Sequence, residues 1–399
     1  MSATGRRLLR GVSTNVLVLG VVSFLTDLSS DMIYAVLPLF LVSIGAGGLL
    51  IGMIEGAAET TASLLKVASG WFSDRYDRRK PFLLGGYGSS ALVKPLLIVA
   101  TSPWHVLGIR VAERVGKGVR SAPRDALVAD STAPESMGKA FGFHKAMDSA
   151  GAVAGVIVAL VVLALAASME ELERYRLVFM VAVVPAFVAV AVIFLFVREK
   201  EGAPRAARGA FMRDMSKLGR EFWVLMAVVV TFYVGEISYA FFLLKGQDAG
   251  MSDTTVIALY LLYNVVFVLV AIPSGSLSDR LGRVPVILFS FSMFVVTCAT
   301  MAMADGLVLL MAGFALFGLY KGTSEGVLKA YVVDVIPRDM RGTALGAFHT
   351  SVGLVMLPGG IVAGLLWDSV GPWATFAFGG CTAVAASVLL LATGRRRPA

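Results

Sequence analysis

The chain has two cysteines, Cys298 and Cys381, both set in apolar runs, so neither a disulfide framework nor a cysteine-held metal cluster is expected. Histidine is as scarce. His105, His144 and His349 are scattered and show no zinc-ligand spacing. No phosphate-cradling glycine loop, nucleophile–base–acid set or metal-ligand cluster stands out, which argues against ATP-driven pumping and against an enzyme. No cofactor is therefore expected. The most telling shortage is charge: 16% of 399 residues, where soluble domains carry about 25%. Hydrophobic residues make up 57%. That much apolar surface cannot be hidden in a soluble core of this size, so the expected class is a polytopic membrane protein. The net charge of +8 would suit a nucleic-acid partner, but its distribution points elsewhere.

Apolar windows fall at 15–43, 48–71, 81–102, 103–124, 137–167, 174–197, 223–246, 253–276, 284–303, 306–331, 343–366 and 372–393. Each is long enough for a spanning helix of roughly 20 residues. The first run continues to Ile44 with no small-residue cleavage site, and so reads as a retained span rather than a signal peptide. Basic residues recur on one side: Arg6, Arg7 and Arg10; Arg75, Arg78, Arg79 and Lys80; seven in 198–222; then Arg280, Arg283, Arg338, Arg341 and Arg395–Arg397. The opposite loops have almost none apart from Arg174 and Arg176. The positive-inside rule puts both termini in the cytoplasm and makes the basicity a topological signal, not a nucleic-acid patch. The polar stretch then divides the chain into an N-terminal six-helix bundle (1–197), a cytoplasmic central loop (198–222) and a C-terminal six-helix bundle (223–399). A short amphipathic helix is expected around Phe211–Phe222.

The halves repeat. At an offset of 205, Asp31 falls on Glu236, Tyr34 on Tyr239, Glu59 on Asn264, Asp74 on Asp279 and Arg75 on Arg280. At 204, Lys117–Gly118 falls on Lys321–Gly322, Asp130 on Asp334, and Gly138 and Gly142 on Gly342 and Gly346. A nearly constant offset serving four pairs of spans implies parallel six-helix repeats about an axis along the membrane normal.

GWFSDRYDRRK from Gly70 and GSLSDRLGRV from Gly275 carry a resemblance. Together with twelve spans and a long central loop, they resemble the Major Facilitator Superfamily, whose loop signature between spans 2 and 3 is G-x-x-x-D-R-x-x-R-[RK]. The resemblance covers the whole chain and implies an all-α membrane protein of twelve transmembrane helices in two pseudo-symmetric six-helix bundles. It also implies a secondary transporter, commonly monomeric, surrounded by lipid. ERVGKGVRSAPRDALVAD looks like a poorly described prokaryotic branch, which places the chain in a prokaryotic cytoplasmic membrane. The signature residues Gly70, Asp74, Arg75, Arg78 and Arg79, with Gly275, Asp279, Arg280 and Arg283, are candidates for a conformational latch. Acid at one helix end and arginine at the next helix start favour such contacts; plain topological anchoring is the simpler role. Arg114 with Lys117 and Gly118 resembles the span-4 motif R-x-x-Q-G, with Lys117 in place of Gln, and that arginine is associated with proton transfer. The antiporter pattern G-x-x-x-G-P is incomplete, since Val156 follows Gly151 and Gly155.

Charges inside the spans are the functional signal. Asp27, Asp31, Glu55, Glu59, Glu113, Arg114, Lys117, His144, Lys145, Asp148, Glu236, Lys321 and Glu325, with Asn264, all fall near mid-span. A charge at the bilayer centre costs about 2.5–3.5 kcal/mol, so these groups are expected to face one another or a wet cavity. Asp27, Asp31 and Tyr34 share a helix face, as do Glu55, Glu59 and Lys66; His144 and Asp148 are one turn apart, as are Lys321 and Glu325. Arg110, Glu113, Arg114, Lys117, Arg120 and Arg124 form a ladder in span 4. A structural ion-pair network is the plain alternative, favoured for Arg120, Arg124 and Asp125. Tyr233, Tyr260 and Tyr263 read as cavity lining or helix packing. The leading expectation is proton-coupled export of a small organic or amphipathic compound by rocking of two bundles, with the proton gradient as energy source. Uptake or uniport of a small organic anion is the rival, and a non-transporting receptor or scaffold the third possibility.

Overall fold

The computed structural model describes residues 13–76, 78–133, 136–199, 218–336 and 340–394. The expected helix at 211–222 lies largely outside them, as does most of the central loop. The described residues form thirteen α-helices and one 3₁₀ turn, with no strand among them. In the first half these are α1 (Thr14–Ser43), α2 (Gly48–Tyr76), α3 (Lys80–Val93), the 3₁₀ turn Lys94–Leu97, α4 (Pro103–Asp130), α5 (Met137–Leu165) and α6 (Glu171–Phe196). In the second they are α7 (Arg220–Tyr233), α8 (Tyr239–Asp248), α9 (Asp253–Leu281), α10 (Arg283–Ala302), α11 (Leu307–Asp334), α12 (Arg341–Ser369) and α13 (Pro372–Gly394).

These helices coincide with the twelve apolar windows. Eight of them (α1, α5, α6 and α9–α13) are long and apolar enough on their own to cross a membrane. The other four spans carry the charges or the breaks. Several helices run 28–30 residues, beyond the roughly 20 that a bilayer core needs, and α2, α4, α9 and α11 overshoot at the basic face. Two windows read as continuous spans are interrupted. Span 3 tightens into the 3₁₀ turn at Lys94, because Pro95 has no N–H for the helical ladder. Span 7 stops at Tyr233 and restarts at Tyr239. Ser238 caps the new start by accepting from Ala240 N.

The chain packs as two contact-dense units. Among the described residues, one lies within 13–35, 65–100 and 108–199, the other within 36–64, 101–107 and 218–394. In the first unit, α5 lies against α1 at backbone distance. A Cβ at Gly151 would stand 2.4 Å from the Phe24 carbonyl oxygen, and one at Gly155 2.5 Å from that of Leu28, so only glycine fits. Val16, Leu19, Val22, Leu83, Tyr87, Leu127 and Ile193 form an apolar cluster there. The second unit has an aromatic centre. Phe232 stacks on Phe291 at 4.0 Å, Phe242 on Phe317 at 4.0 Å and Tyr263 on Phe317 at 4.8 Å. In the same unit α2 meets α12 along a glycine seam: a Cβ at Gly52 would stand 2.0 Å from the Gly360 carbonyl oxygen. Asp368 closes the seam, its two oxygens accepting from Gly48 N (2.7 Å) and Leu49 N (2.9 Å).

Candidate functional site

The basic loops build one device twice. Arg79, at the entrance to α3, donates to Ser73 Oγ at 2.9 Å and lies 3.7 Å from the Asp130 carboxylate at the end of α4. Arg283, at the entrance to α10, donates to Ser278 Oγ at 2.6 Å and to Asp334 at 2.9 Å, with Asp279 at 2.6 Å. Each arginine thus staples the ends of three successive spans within its own half. Asp130 and Asp334 complete the staples, and only their place in the repeat marks them in the sequence. The copies differ in depth: the Arg79 side chain is 4% exposed and that of Arg283 22%. Arg78, Asp279 and Arg280 are exposed, Gly70 and Gly275 half-buried, and the side chains of Asp74 and Arg75 lie outside the described residues. A second clamp joins the first copy. The Glu199 carboxylate accepts from the backbone N–H groups of Arg79 and Lys80, while Lys80 Nζ donates to the carbonyls of Phe194 (3.1 Å) and Val197 (2.7 Å). Acid sits on a helix N-terminus and cation on a C-terminus, as the helix dipoles favour.

Deeper in the first unit, α4 presents its charges to α1. The Arg110 guanidinium, 1% exposed, donates to Glu113 Oε2 at 2.6 Å. Tyr34 donates to Glu113 Oε1 at 3.3 Å, and its ring lies 4.7 Å from the Arg110 guanidinium carbon and 5.2 Å from that of Arg114. Burial of both members makes such a pair costly to break from one side, by about 3–5 kcal/mol. Asp27 and Asp31, one turn apart on α1, are half-buried and form no hydrogen bond or ion pair with any described residue. The charges that act on Asp31 are Asp27, Lys117, Lys94 and Arg114; those acting on Asp27 are Asp148, Lys117, Arg124 and Arg120. His144 Nδ1 lies 3.6 Å from Asp148, while Lys145 turns to the exposed side. Arg120 donates to Ser90 Oγ at 2.7 Å and covers the Tyr87 ring at 4.4 Å, and Arg124 pairs with Asp125 at 2.9 Å.

Lys94 is a further buried charge, not among the expected site residues. It is buried in the 3₁₀ turn of span 3, and its ammonium donates to Ser29 Oγ (2.7 Å) and Ser30 Oγ (3.1 Å) rather than to a carboxylate. The signal was present, because a lysine inside LVKPLLIV is as costly in a membrane as any charge in the ladder.

In the second unit the repeat partner of Asp31 occupies the break in span 7. Glu236 Oε1 accepts from Tyr320 OH and from Lys321 Nζ, both at 2.5 Å. Its side chain is 3% exposed, and Oε2 is buried without a hydrogen-bond partner. A buried acceptor left unmet costs about 1–3 kcal/mol. Gly235, in the break, packs so closely on the Thr382 side chain of α13 that a Cβ there would clash. Tyr320 was also missed; it lies one residue before Lys321 in an apolar run that gives it no distinction. The expected Lys321–Glu325 contact is not made: Glu325 pairs with Lys329 at 3.0 Å. Asn264 is buried, with its amide donating to Tyr260 O of its own helix at 3.0 Å. Glu55 is buried and Glu59 half-buried on α2, both in the second contact unit.

Spanning helices in two repeats, each with an arginine stapling three helix ends, define a multi-pass membrane protein. The chain belongs to the Major Facilitator Superfamily, whose profile matches residues 19–252 and 224–399. An uncharacterized MFS-type transporter of Methanocaldococcus jannaschii is 36% identical over 389 residues, 96% of this chain and 95% of that one. The solved structure of the nucleoside transporter NupG superposes with a TM-score of 0.80 at 14% identity, over 95% of this chain and 99% of that one. The multidrug resistance protein MdtH of Photorhabdus laumondii is 30% identical over 129 residues, 31% of this chain and 32% of that one. The fold is therefore the twelve-span, two-bundle fold of this family, and the protein is an integral, multi-pass membrane transporter by family.

Proposed function

We propose that the protein is a proton-coupled exporter of a small organic or amphipathic compound, working as a monomer by alternating access in a prokaryotic cytoplasmic membrane. One observation carries the reading: Asp27 and Asp31 are half-buried carboxylates in a spanning helix, bonded to no described residue. A carboxylate so placed changes charge by binding a proton, and the cations Lys117, Lys94 and Arg114 act on it from nearby. Moving a cation toward or away from the acid during the cycle switches its affinity for the proton. Arg114, held over Tyr34 beside the Arg110–Glu113 pair, is the candidate moving partner. Export is supported by the partial likeness to a multidrug resistance protein. The staples at Arg79 and Arg283 hold each half's basic-face helix ends together while the halves rock.

The test begins with a melting screen of the purified protein against ethidium, tetraphenylphosphonium, benzoate and citrate. The stabilising solute is then followed in proteoliposomes under an imposed pH gradient. Wild-type protein drives its flux, and Asp31→Asn and Arg114→Ala reduce that flux to background. Full flux in both variants rejects the assignment. The rival reading, uptake of a small organic anion, has Lys94 in its favour, since its buried ammonium is bonded to hydroxyls alone among the described contacts. Stabilisation by benzoate or citrate and by neither cation decides for it.

A further inference from the structure

Lys94 sits where span 3 leaves the regular helix, and its bonded partners do not balance its charge. The 3₁₀ turn Lys94–Leu97 follows α3 directly, and such a stretch inside a span often marks a hinge. The lysine is buried. Its ammonium carries three donors, and the described contacts give it two acceptors, the hydroxyls of Ser29 at 2.7 Å and Ser30 at 3.1 Å. The Ser29 hydroxyl is itself committed, since it donates to the Ala182 carbonyl of α6 at 2.6 Å. Hydroxyls are neutral, so a full positive charge lies buried with no ion pair to a described residue, which is a costly arrangement. Ser30 stands three residues after Asp27 and one before Asp31. The ammonium thus rests on the stretch of α1 that carries both carboxylates, and it interacts electrostatically with each of them. Glu113 also acts on Lys94, but that acid is already held by Arg110 and Tyr34. A tether between α1 and span 3 needs a donor and no charge, which a glutamine would supply. A charge kept on hydroxyls, beside two acids bonded to no described residue, has a second place to go.

We propose that Lys94 is a travelling countercharge of the proton cycle, leaving Ser29 and Ser30 for Asp31 when that carboxylate is ionised and returning to them when a proton takes its place. The proposal rests on the proton-coupled reading above and adds to it a residue and a resting seat. Asp31 gives its proton to solvent and later regains one; the ammonium keeps all three of its own and changes only its acceptor. Consecutive Cα atoms lie about 3.8 Å apart, so the exchange from Ser30 to Asp31 is within the reach of a flexible four-carbon stem. The other charges near the acid are Asp27 on its own helix and Arg114 and Lys117 on α4. Those near the lysine are Glu113, Arg110 and Arg120 on α4 and Asp27 on α1, and Asp148 on α5 acts on Asp27. Arg110 is bonded to Glu113, and Arg120 to Ser90 Oγ over the Tyr87 ring. Arg114 moves with its helix in the reading above, whereas Lys94 moves on its own stem between two seats on α1.

The test reads the Asp31 carboxyl itself and needs no solute. Infrared difference spectra of the purified full-length protein in detergent are recorded across pH, and the protonated-carboxyl band that Asp31→Asn removes is followed. A cation beside an acid favours its ionised form, so taking the cation away raises the pH at which the proton leaves. Lys94→Met is therefore expected to move the midpoint of the band up by about one pH unit or more. Ser30→Ala removes the competing seat, drives the ammonium toward Asp31 and moves the midpoint down. The double variant Lys94→Met, Ser30→Ala titrates as Lys94→Met does, because the serine acts only through the lysine. A lysine that merely ties helices together would lower the melting temperature when replaced and leave the midpoint in place. A midpoint unmoved in Lys94→Met, or moved other than downward in Ser30→Ala, overturns the proposal and leaves Asp31 as the proton site. Should Lys94→Met not fold, Ser30→Ala decides alone. An Asp31 band that does not titrate in the wild-type protein overturns the coupling reading and this proposal with it.

Discussion

The two halves share a frame and differ in what fills it. Both place an arginine at the entrance to the third span of the repeat, on a serine and on the aspartate that ends the fourth: Arg79 with Ser73 and Asp130, Arg283 with Ser278 and Asp334. Inside that frame the first unit is ionic, with Arg110, Glu113, Arg114 and Lys94 buried. The second is aromatic, with Phe232, Phe242, Phe291, Phe294, Phe317 and Tyr320 buried near the Lys321–Glu236 pair. Position-for-position repetition therefore marks what both halves need mechanically. Divergence marks a division of labour, and in the proposed reading charge handling falls to the first unit.

The comparison is sharpest where one half can be disabled alone. Asp31→Asn removes the carboxylate proposed to titrate in the ionic unit. It is expected to cut pH-gradient-driven flux at least 100-fold in proteoliposomes while leaving binding in detergent within threefold; equal losses in both would erase the division. Next come the two centres as stabilising elements. Glu113→Ala strands a buried arginine and is expected to cost about 3–5 kcal/mol. A paired Arg110→Met, Glu113→Leu replacement recovers most of the lost thermal stability, because desolvating the pair offsets much of its attraction. Phe317→Ala in the aromatic centre costs a similar 3–5 kcal/mol, but no polar partner substitution restores it. Melting of the purified variants distinguishes the two patterns.

How far these contrasts can be read from the sequence depends on the kind of signal. The twelve spans are legible, because a bilayer demands long apolar runs and the basic residues orient them. The Arg110–Glu113 pair is legible as a spacing along one helix. Interruptions are harder. Nothing in the hydropathy of 223–246 separates α7 from α8, although Gly235 and the capping Ser238 are there to be read. Contacts between distant spans are hardest. The one-turn spacing of Lys321 and Glu325 suggested a pair, yet Lys321 bonds across to Glu236. A neighbour on the same helix competes with every charge that tertiary packing brings within reach.

A smaller effect tests the shared frame. Arg79→Ala is expected to lower the melting temperature more than Arg283→Ala. The first arginine is buried and its loss strands two partners, whereas the second works at an exposed face where such a pair contributes about 0–1 kcal/mol. Equal shifts would show that the staples act alike despite their depth. The smallest expected effect belongs to Asp368→Ala, which removes an acceptor from two helix-start N–H groups at a cost of about 0.5–2 kcal/mol. Faster hydrogen exchange confined to the amides of Gly48 and Leu49 is its signature.

In the proposed alternating-access reading, the glycine seam between α2 and α12 sets how finely the resting population can be tuned. Gly52 and Gly360 meet backbone to backbone, so any side chain at either position is a wedge that raises the energy of the closed contact while leaving a separated one untouched. A wedge of only about 1.4 kcal/mol changes the ratio of the two forms tenfold. One methyl group at Gly52 or Gly360 is thus expected, in that proposed reading, to shift the balance between the two forms.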